Sequence, residues 1–269
     1  MSTLKVNTVL SADTPTVNVT DGLNVTGVST VTTLNTTNIV NATPLSHRNK
    51  VINGAMTVSQ RNGTSAVTTV NAYNIDRWQN AFSGTIGAYS FSQSTDSPDG
   101  FANSYKIDVT TADTSLGSTD VHYFRTALEG QDVQDFAKGT SSAKEFTLSF
   151  YVKATKTGTY IVNLTDADNS RECSASYTVS NTNWNRYTVS FPADTTGAFD
   201  NDDNVSLRVL FALSAGSSFQ SGTLSTSWAA STDANRLVGQ VNLADNTSND
   251  WLITGVQLEV GSVATPFEH

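Results

Sequence analysis

Along most of this chain, apolar and polar residues alternate with a period of two, the pattern of half-buried β-strands. The clearest run is 145–153, where Phe146, Leu148, Phe150 and Val152 face one way and Thr147, Ser149, Tyr151 and Lys153 the other. After a turn at Lys156-Thr-Gly158 the alternation resumes in Tyr160, Val162 and Leu164. It returns in Tyr187, Val189 and Phe191 after Trp184, then in Val205, Leu207, Val209 and Phe211, and near the C-terminus in Val256, Leu258 and Val260. In that last run Gln257 and Glu259 are expected to face outward. Earlier strands are predicted over 73–82, 88–93, 104–109 and 120–128, and only 133–138 reads as a helical turn. About ten short strands joined by polar turns predict an all-β fold, an antiparallel jelly-roll β-sandwich.

The first 46 residues follow a different rule. They contain no Phe, Tyr or Trp, and only Lys5, Asp13 and Asp21 carry charge. Thr, Val and Asn dominate, which favours strands but offers nothing bulky enough for a core. A short imperfect repeat, Val17-Asn-Val-Thr-Asp-Gly22 and then Leu23-Asn-Val-Thr-Gly-Val28, places Val17, Val19, Leu23 and Val25 on one face. Val28, Val31, Leu34 and Ile39 continue the apolar series at wider spacing. A lone ribbon of this kind is marginal in water, whereas three copies around an axis bury that face and remove the open edges. The expectation is therefore a β-rich trimeric stalk over 1–46, preceding a jelly-roll head over 47–269. The alternative is a peptide that orders only on a partner. Pro44 and the cluster His47, Arg48 and Lys50 mark the seam, after which aromatics begin at Tyr73.

Composition narrows the functional classes. Charged residues are only 14% of the chain and the net charge is −9. Such a surface repels nucleic acid and offers no polybasic membrane anchor. Cys173 is the sole cysteine, so an intrachain disulfide and a cysteine-based metal framework are both excluded. The opening residues lack the apolar run of a signal peptide, and no stretch reaches the length of a membrane span. The protein is expected to be made in the cytosol and, if it works outside a cell, to leave by a route other than general secretion, release by lysis in a virus particle being one.

Asn49-Lys-Val-Ile-Asn-Gly-Ala-Met56 with Gln60-Arg61, then Asp76-Arg77-Trp78, Thr147-Leu-Ser-Phe-Tyr-Val-Lys-Ala154, and Trp184 with Tyr187-Thr-Val form a set of motifs along the domain. Together they resemble a C-terminal domain widespread in phage tail-fibre and related virion proteins. The ending Ile253-Thr-Gly-Val-Gln-Leu-Glu-Val-Gly-Ser-Val-Ala-Thr-Pro-Phe-Glu268 is the most specific of them. The opening Ser2-Thr-Leu-Lys-Val-Asn-Thr8 is similar to the start of fibre-like proteins of marine phages, cyanophages in particular. The resemblance implies a jelly roll like those of carbohydrate-binding modules, carried on a homotrimeric stalk in the virion. Other virion proteins would bind the N-terminal segment, and host surface polysaccharide the head. The competing readings are a capsid or neck decoration without a ligand and a stand-alone carbohydrate-binding module.

The sequence offers little for catalysis. No metal-spaced Cys/His set, nucleophile elbow or phosphate loop is present, and His47, His122 and His269 are far apart. No enzyme activity, cofactor or metal centre is expected. The Asp-rich stretches Asp166-Ala-Asp-Asn169 and Asp200-Asn-Asp-Asp-Asn204 have the oxygen ligands calcium favours but not the spacing of a calcium loop. Sugar rings stack on exposed aromatic faces, which makes Trp228, Tyr151 and Trp78 the ligand-binding candidates. Trp228 lies in a long Ser/Gly/Thr-rich loop, Tyr151 on an outward strand face, and Trp78 beside Arg77, against which it is expected to pack.

Overall fold

The computed structural model describes residues 47–269. The stalk positions Val17, Val19, Leu23, Val25, Val28, Val31, Leu34 and Ile39 lie outside the described residues. Twelve strands follow: β1 (Ala72–Ile75), β2 (Trp78–Ser83), β3 (Ala88–Ser94), β4 (Ser104–Thr111), β5 (Val121–Glu129) and β6 (Phe146–Ala154). Then come β7 (Gly158–Asp166), β8 (Arg171–Val179), β9 (Asn185–Phe191), β10 (Val205–Ala215), β11 (Ala229–Ala230) and β12 (Asp250–Val260).

All pairings are antiparallel. One sheet has the order β1-β2-β5-β10-β7-β8-β11, the other β3-β4-β12-β6-β9. Within them β5-β10-β7-β8 faces β4-β12-β6-β9. Apart from the β7–β8 hairpin and the two-residue β11, successive strands from β4 to β12 alternate between the two sheets and β12 returns beside β4, which is jelly-roll winding. The described residues form an all-β sandwich.

The core forms where the predicted apolar faces meet. Phe146, Leu148, Phe150 and Val152 on β6 are fully buried, as are Val162 and Leu164 on β7 and Leu207, Val209 and Phe211 on β10. Three details differ from the sequence reading. The run 73–82 is a hairpin, not one strand, because the chain turns at Arg77, whose φ is +71°. The strand β8 has no counterpart in the prediction. Its inward face starts with small residues, Cys173 and Ala175, so its apolar alternation is faint until Tyr177 and Val179. Strand β12 is twice as long as its alternating run because a bulge at Gly255 shifts the register between Thr254 and Gln257. Gly255 has φ +61°, and a Cβ there would lie 2.6 Å from the Phe101 ring and 2.9 Å from Tyr151.

The C-terminal motif acts as a clasp. Glu259 does point out of the sandwich, yet it is buried, because residues 261–268 fold back over this sheet. Its carboxylate accepts the Thr265 amide (2.9 Å) and hydroxyl (2.7 Å). Gln257 donates to the Thr265 hydroxyl (3.0 Å) and accepts the Glu268 amide (2.7 Å). The Glu268 carboxylate in turn accepts the amides of His47 (2.7 Å), Arg48 (2.7 Å) and Asn49 (3.2 Å). Partial burial alone would raise its pKa, but the Asn49, Arg48 and His47 amides more than offset this and hold it below the usual carboxylate range. Gly54 completes the junction, since a Cβ there would meet the Val256 carbonyl at 2.1 Å. The first and last segments that carry the family resemblance thus meet on one strand.

Candidate functional site

The two outer sheet faces have different fates. On the five-stranded sheet, the tail covers Thr147, Gln257 and Glu259, and Arg186 ties Ser149 to the Thr265 carbonyl. Phe101 caps what remains, packing on Tyr151 (5.2 Å between ring centroids), Phe267 (5.1 Å) and His269 (5.6 Å). Beside it Asp96 joins Lys153 (2.6 Å) to the Trp184 indole N–H (2.8 Å).

On the seven-stranded sheet, segment 216–240 covers one half. Phe219 and Leu237 seal a second apolar cluster made by Ala81, Tyr123, Ile161, Leu210 and Ala212. The Leu237 amide donates to the Phe219 carbonyl, and the Ile161 amide donates to Gln240 Oε1 at 2.8 Å. Arg236 locks the flap by pairing with the buried Glu172 at 2.6 Å.

The other half of that face stays open. Strand register sets Gln79 opposite Arg125, Arg125 opposite Leu210, and Arg208 opposite Ala127. Beyond Ala127 a cleft of about 350 Å³ is lined by Arg61, Tyr73, Arg77, Glu129, Asp203 and Val205 among others. Tyr73 is 44% exposed, unusual for a ring that size, because β1 is a four-residue edge strand with nothing folded over it. Gln79 Oε1 accepts from Arg125 Nε (2.9 Å) and Nη2 (2.7 Å), which fixes that guanidinium on the sheet. Glu129 lies 3.8 Å from Arg77 and accepts from Gln131 at 2.9 Å. An apolar ring face flanked by fork donors and carboxylate acceptors can hold a ligand that is apolar on its faces and hydroxylated at its edges.

The residues singled out from sequence lie elsewhere. Trp78 is fully buried and stacks on Phe124, 4.8 Å away and 9° from parallel. Its partner is this core ring rather than Arg77, whose positive φ turns the backbone between them. Trp228 is 9% exposed; its indole N–H donates to the Pro192 carbonyl (2.9 Å), and its ring lies 5.0 Å from the Lys138 ammonium. Tyr151 sits half-buried beneath Phe101. The structure does not bring the three together. Tyr73, Arg125 and Arg208 escaped the sequence reading, although the alternation of Leu207, Val209 and Phe211 inward already put Arg208 on the outer face.

The other chemical candidates resolve into structure. In the stretch 166–169, Asp166 is claimed by Lys138 (2.5 Å) and by the amides of Asp168 and Asn169 (3.0 Å each). In the second stretch Asp202 accepts the Asn204 amide at 3.0 Å. Among the described residues there is no group of three or more His, Cys, Asp or Glu side chains arranged for a metal ion. His122 is fully buried, 3.3 Å from Asn80 Oδ1 and stacked on Phe82, and burial holds its pKa well below the ordinary value. Burial likewise pushes the Cys173 thiol up to about 12, with Asp194 adding to the rise. Both are shielded from solvent. No helix among the described residues is long and apolar enough to cross a membrane.

No protein-family model and no curated protein matches this chain. Among solved structures it is similar to the enzymatically active domain of tailspike protein 4 of bacteriophage CBA120, at 14% identity and a TM-score of 0.41. That match covers 79% of this chain and 21% of the tailspike chain, so this chain spans about a fifth of its length. It is also similar to a putative sugar binding protein from Bacteroides thetaiotaomicron, at 13% identity and a TM-score of 0.42, over 79% of this chain and 100% of that one. The C-terminal family 22 carbohydrate binding module of Clostridium thermocellum Xyn10B matches at 13% identity and a TM-score of 0.39, covering 76% and 99% of the two chains. Likeness at this depth assigns no ligand.

Proposed function

We propose that the domain is the glycan-binding head of a homotrimeric virion fibre, a phage tail fibre, and that it acts by binding rather than catalysis. The observation that carries the glycan reading is the open half of the seven-stranded sheet, where an exposed Tyr73 stands among arginine and carboxylate side chains. Sugars have that chemistry, with apolar ring faces and hydroxyl edges that both donate and accept. The aromatic-free segment 1–46 and the tail-fibre resemblance support the trimer, with other virion proteins as partners of that segment. Three linked heads turn weak single-site contacts into useful avidity, so a shallow cleft suffices.

The test is titration of the full chain with host surface polysaccharide. Wild type is expected to bind and leave the polymer uncut, and Tyr73→Ala to bind about tenfold more weakly. Equal binding by the two would remove this cleft from the ligand site, and new reducing ends would overturn the non-catalytic role. Light scattering checks the assembly: a trimeric full chain and a monomeric 48–269 fragment are expected. Monomers in both cases would favour a solitary binding module.

A further inference from the structure

The open sheet face carries a charge pattern at odds with the rest of the chain. Net charge is −9 and charged residues are scarce, yet Arg125 and Arg208 lie on adjacent strands of this one face. Their register, Arg125 opposite Leu210 and Arg208 opposite Ala127, makes them diagonal neighbours, close enough for long side chains to converge. Among the described residues neither lies within ion-pair distance of a carboxylate. Arg125 spends two of its N–H groups on the neutral Gln79. Glu129, further along β5 on the same face, is turned to Arg77 and Gln131 instead. Arg61 adds a third cation on the cleft wall without a salt bridge of its own among the described residues. Burial lowers the Arg125 pKa, and the like charge of Arg208 lowers it further. Like charges set side by side on neighbouring strands repel, and an anion between them would relieve that repulsion through charge-assisted, fork-shaped hydrogen bonds.

We infer that the glycan bound by this face is acidic, with a carboxylate substituent of the sugar held between Arg125 and Arg208 while the ring stacks toward Tyr73. The inference rests on the glycan-binding reading above and adds the class of polymer. A uronate-containing polysaccharide carries ring face and carboxylate on a single residue. The cleft beyond them is lined by Arg61 and Arg77 together with Asp76, Glu129 and Asp203, so the neighbouring sugars there would meet groups of both signs.

The test uses the full-length protein and polygalacturonate, alginate and hyaluronate, each beside its carboxyl-reduced counterpart, in affinity electrophoresis at low and high salt. At least one carboxylated polymer should retard the protein at low salt, less so at high salt, while its carboxyl-reduced form binds at least about tenfold more weakly. Arg125→Gln/Arg208→Gln should lose that preference and keep the residual binding seen with the reduced polymer. Comparing reduced with native polymer on wild-type protein keeps the test independent of how well the variant folds. Equal binding of native and reduced polymers would overturn the acidic assignment and leave glycan binding standing. Failure of wild type to bind either form of any polymer, or the host polysaccharide above, would overturn both.

Discussion

Phe150→Ala is expected to destabilise the domain by about 3–5 kcal/mol. Phe150 is fully buried on β6, which lies between β12 and β9 in the five-stranded sheet. Its ring meets Phe211 of the opposite sheet edge-on (4.9 Å between centroids) and Tyr177 edge-on (5.0 Å), and stacks with Tyr187 (5.9 Å). It therefore bridges the two layers, and truncation removes both its transfer free energy and three aromatic contacts. Neighbours on three different strands cannot all close on the space without disturbing their own ladders, so the site collapses poorly. Phe150→Leu, which keeps most of the volume, should cost far less. Urea unfolding of the two variants beside wild type measures both differences. A loss below about 1 kcal/mol for the alanine variant would mean that this face of β6 is not the centre of the core.

The core was legible because period-two alternation reports a strand with one buried face, and β6, β7, β9 and β10 carry it with large side chains. Strand β8 was not, since Cys173 and Ala175 fill their share of the interior with little hydrophobic signal. The outward side of β12 was half legible. Alternation turns Gln257 and Glu259 outward, but nothing in it says that residues 261–268 return to cover them. The candidate site was harder for a similar reason. Residue type drew attention to Trp78 and Trp228, and tryptophan is also the side chain most useful to a core, where both are found. Exposure depends on what is folded over a residue. Tyr73 is open because β1 is a short edge, and Tyr151 is capped because Phe101 arrives from a distant loop. Arg125 and Arg208 become neighbours only through the winding that sets β5 beside β10. Each is visible in sequence as an outward residue, but their juxtaposition is not.

Lys138→Met should destabilise the domain by a comparable amount, about 3–5 kcal/mol, through a different mechanism. The Lys138 ammonium is fully buried, within 2.5 Å of Asp166, 3.1 Å of Asp194, and 2.7 and 3.1 Å of the Gly197 and Thr196 carbonyls. The rings of Trp228 and Phe199 flank it at 5.0 and 5.2 Å. Arg171 pairs with Asp194 through two bonds of 2.8 and 3.0 Å, so that carboxylate keeps one cation in the variant. Asp166 keeps only neutral donors, its backbone and Asn169 bonds, and becomes a buried charge without a counter-ion. Methionine fills the stem's volume, so the loss reports charge rather than packing. The dependence on pH separates the two. Burial raises the Asp194 pKa, but Arg171, the Thr196 amide and Lys138 more than offset it and hold the group below its ordinary value. Its stabilising contribution is therefore complete above the unfolded aspartate value and is lost as pH falls through the lower folded one. The variant keeps only Arg171 and the Thr196 amide to hold Asp194 down, so acid takes less stability from it than from wild type. The stability gap should be widest near neutral pH and narrow steadily below about pH 4. A gap that stays constant on acidification would assign the loss to packing around Trp228 and Phe199 instead.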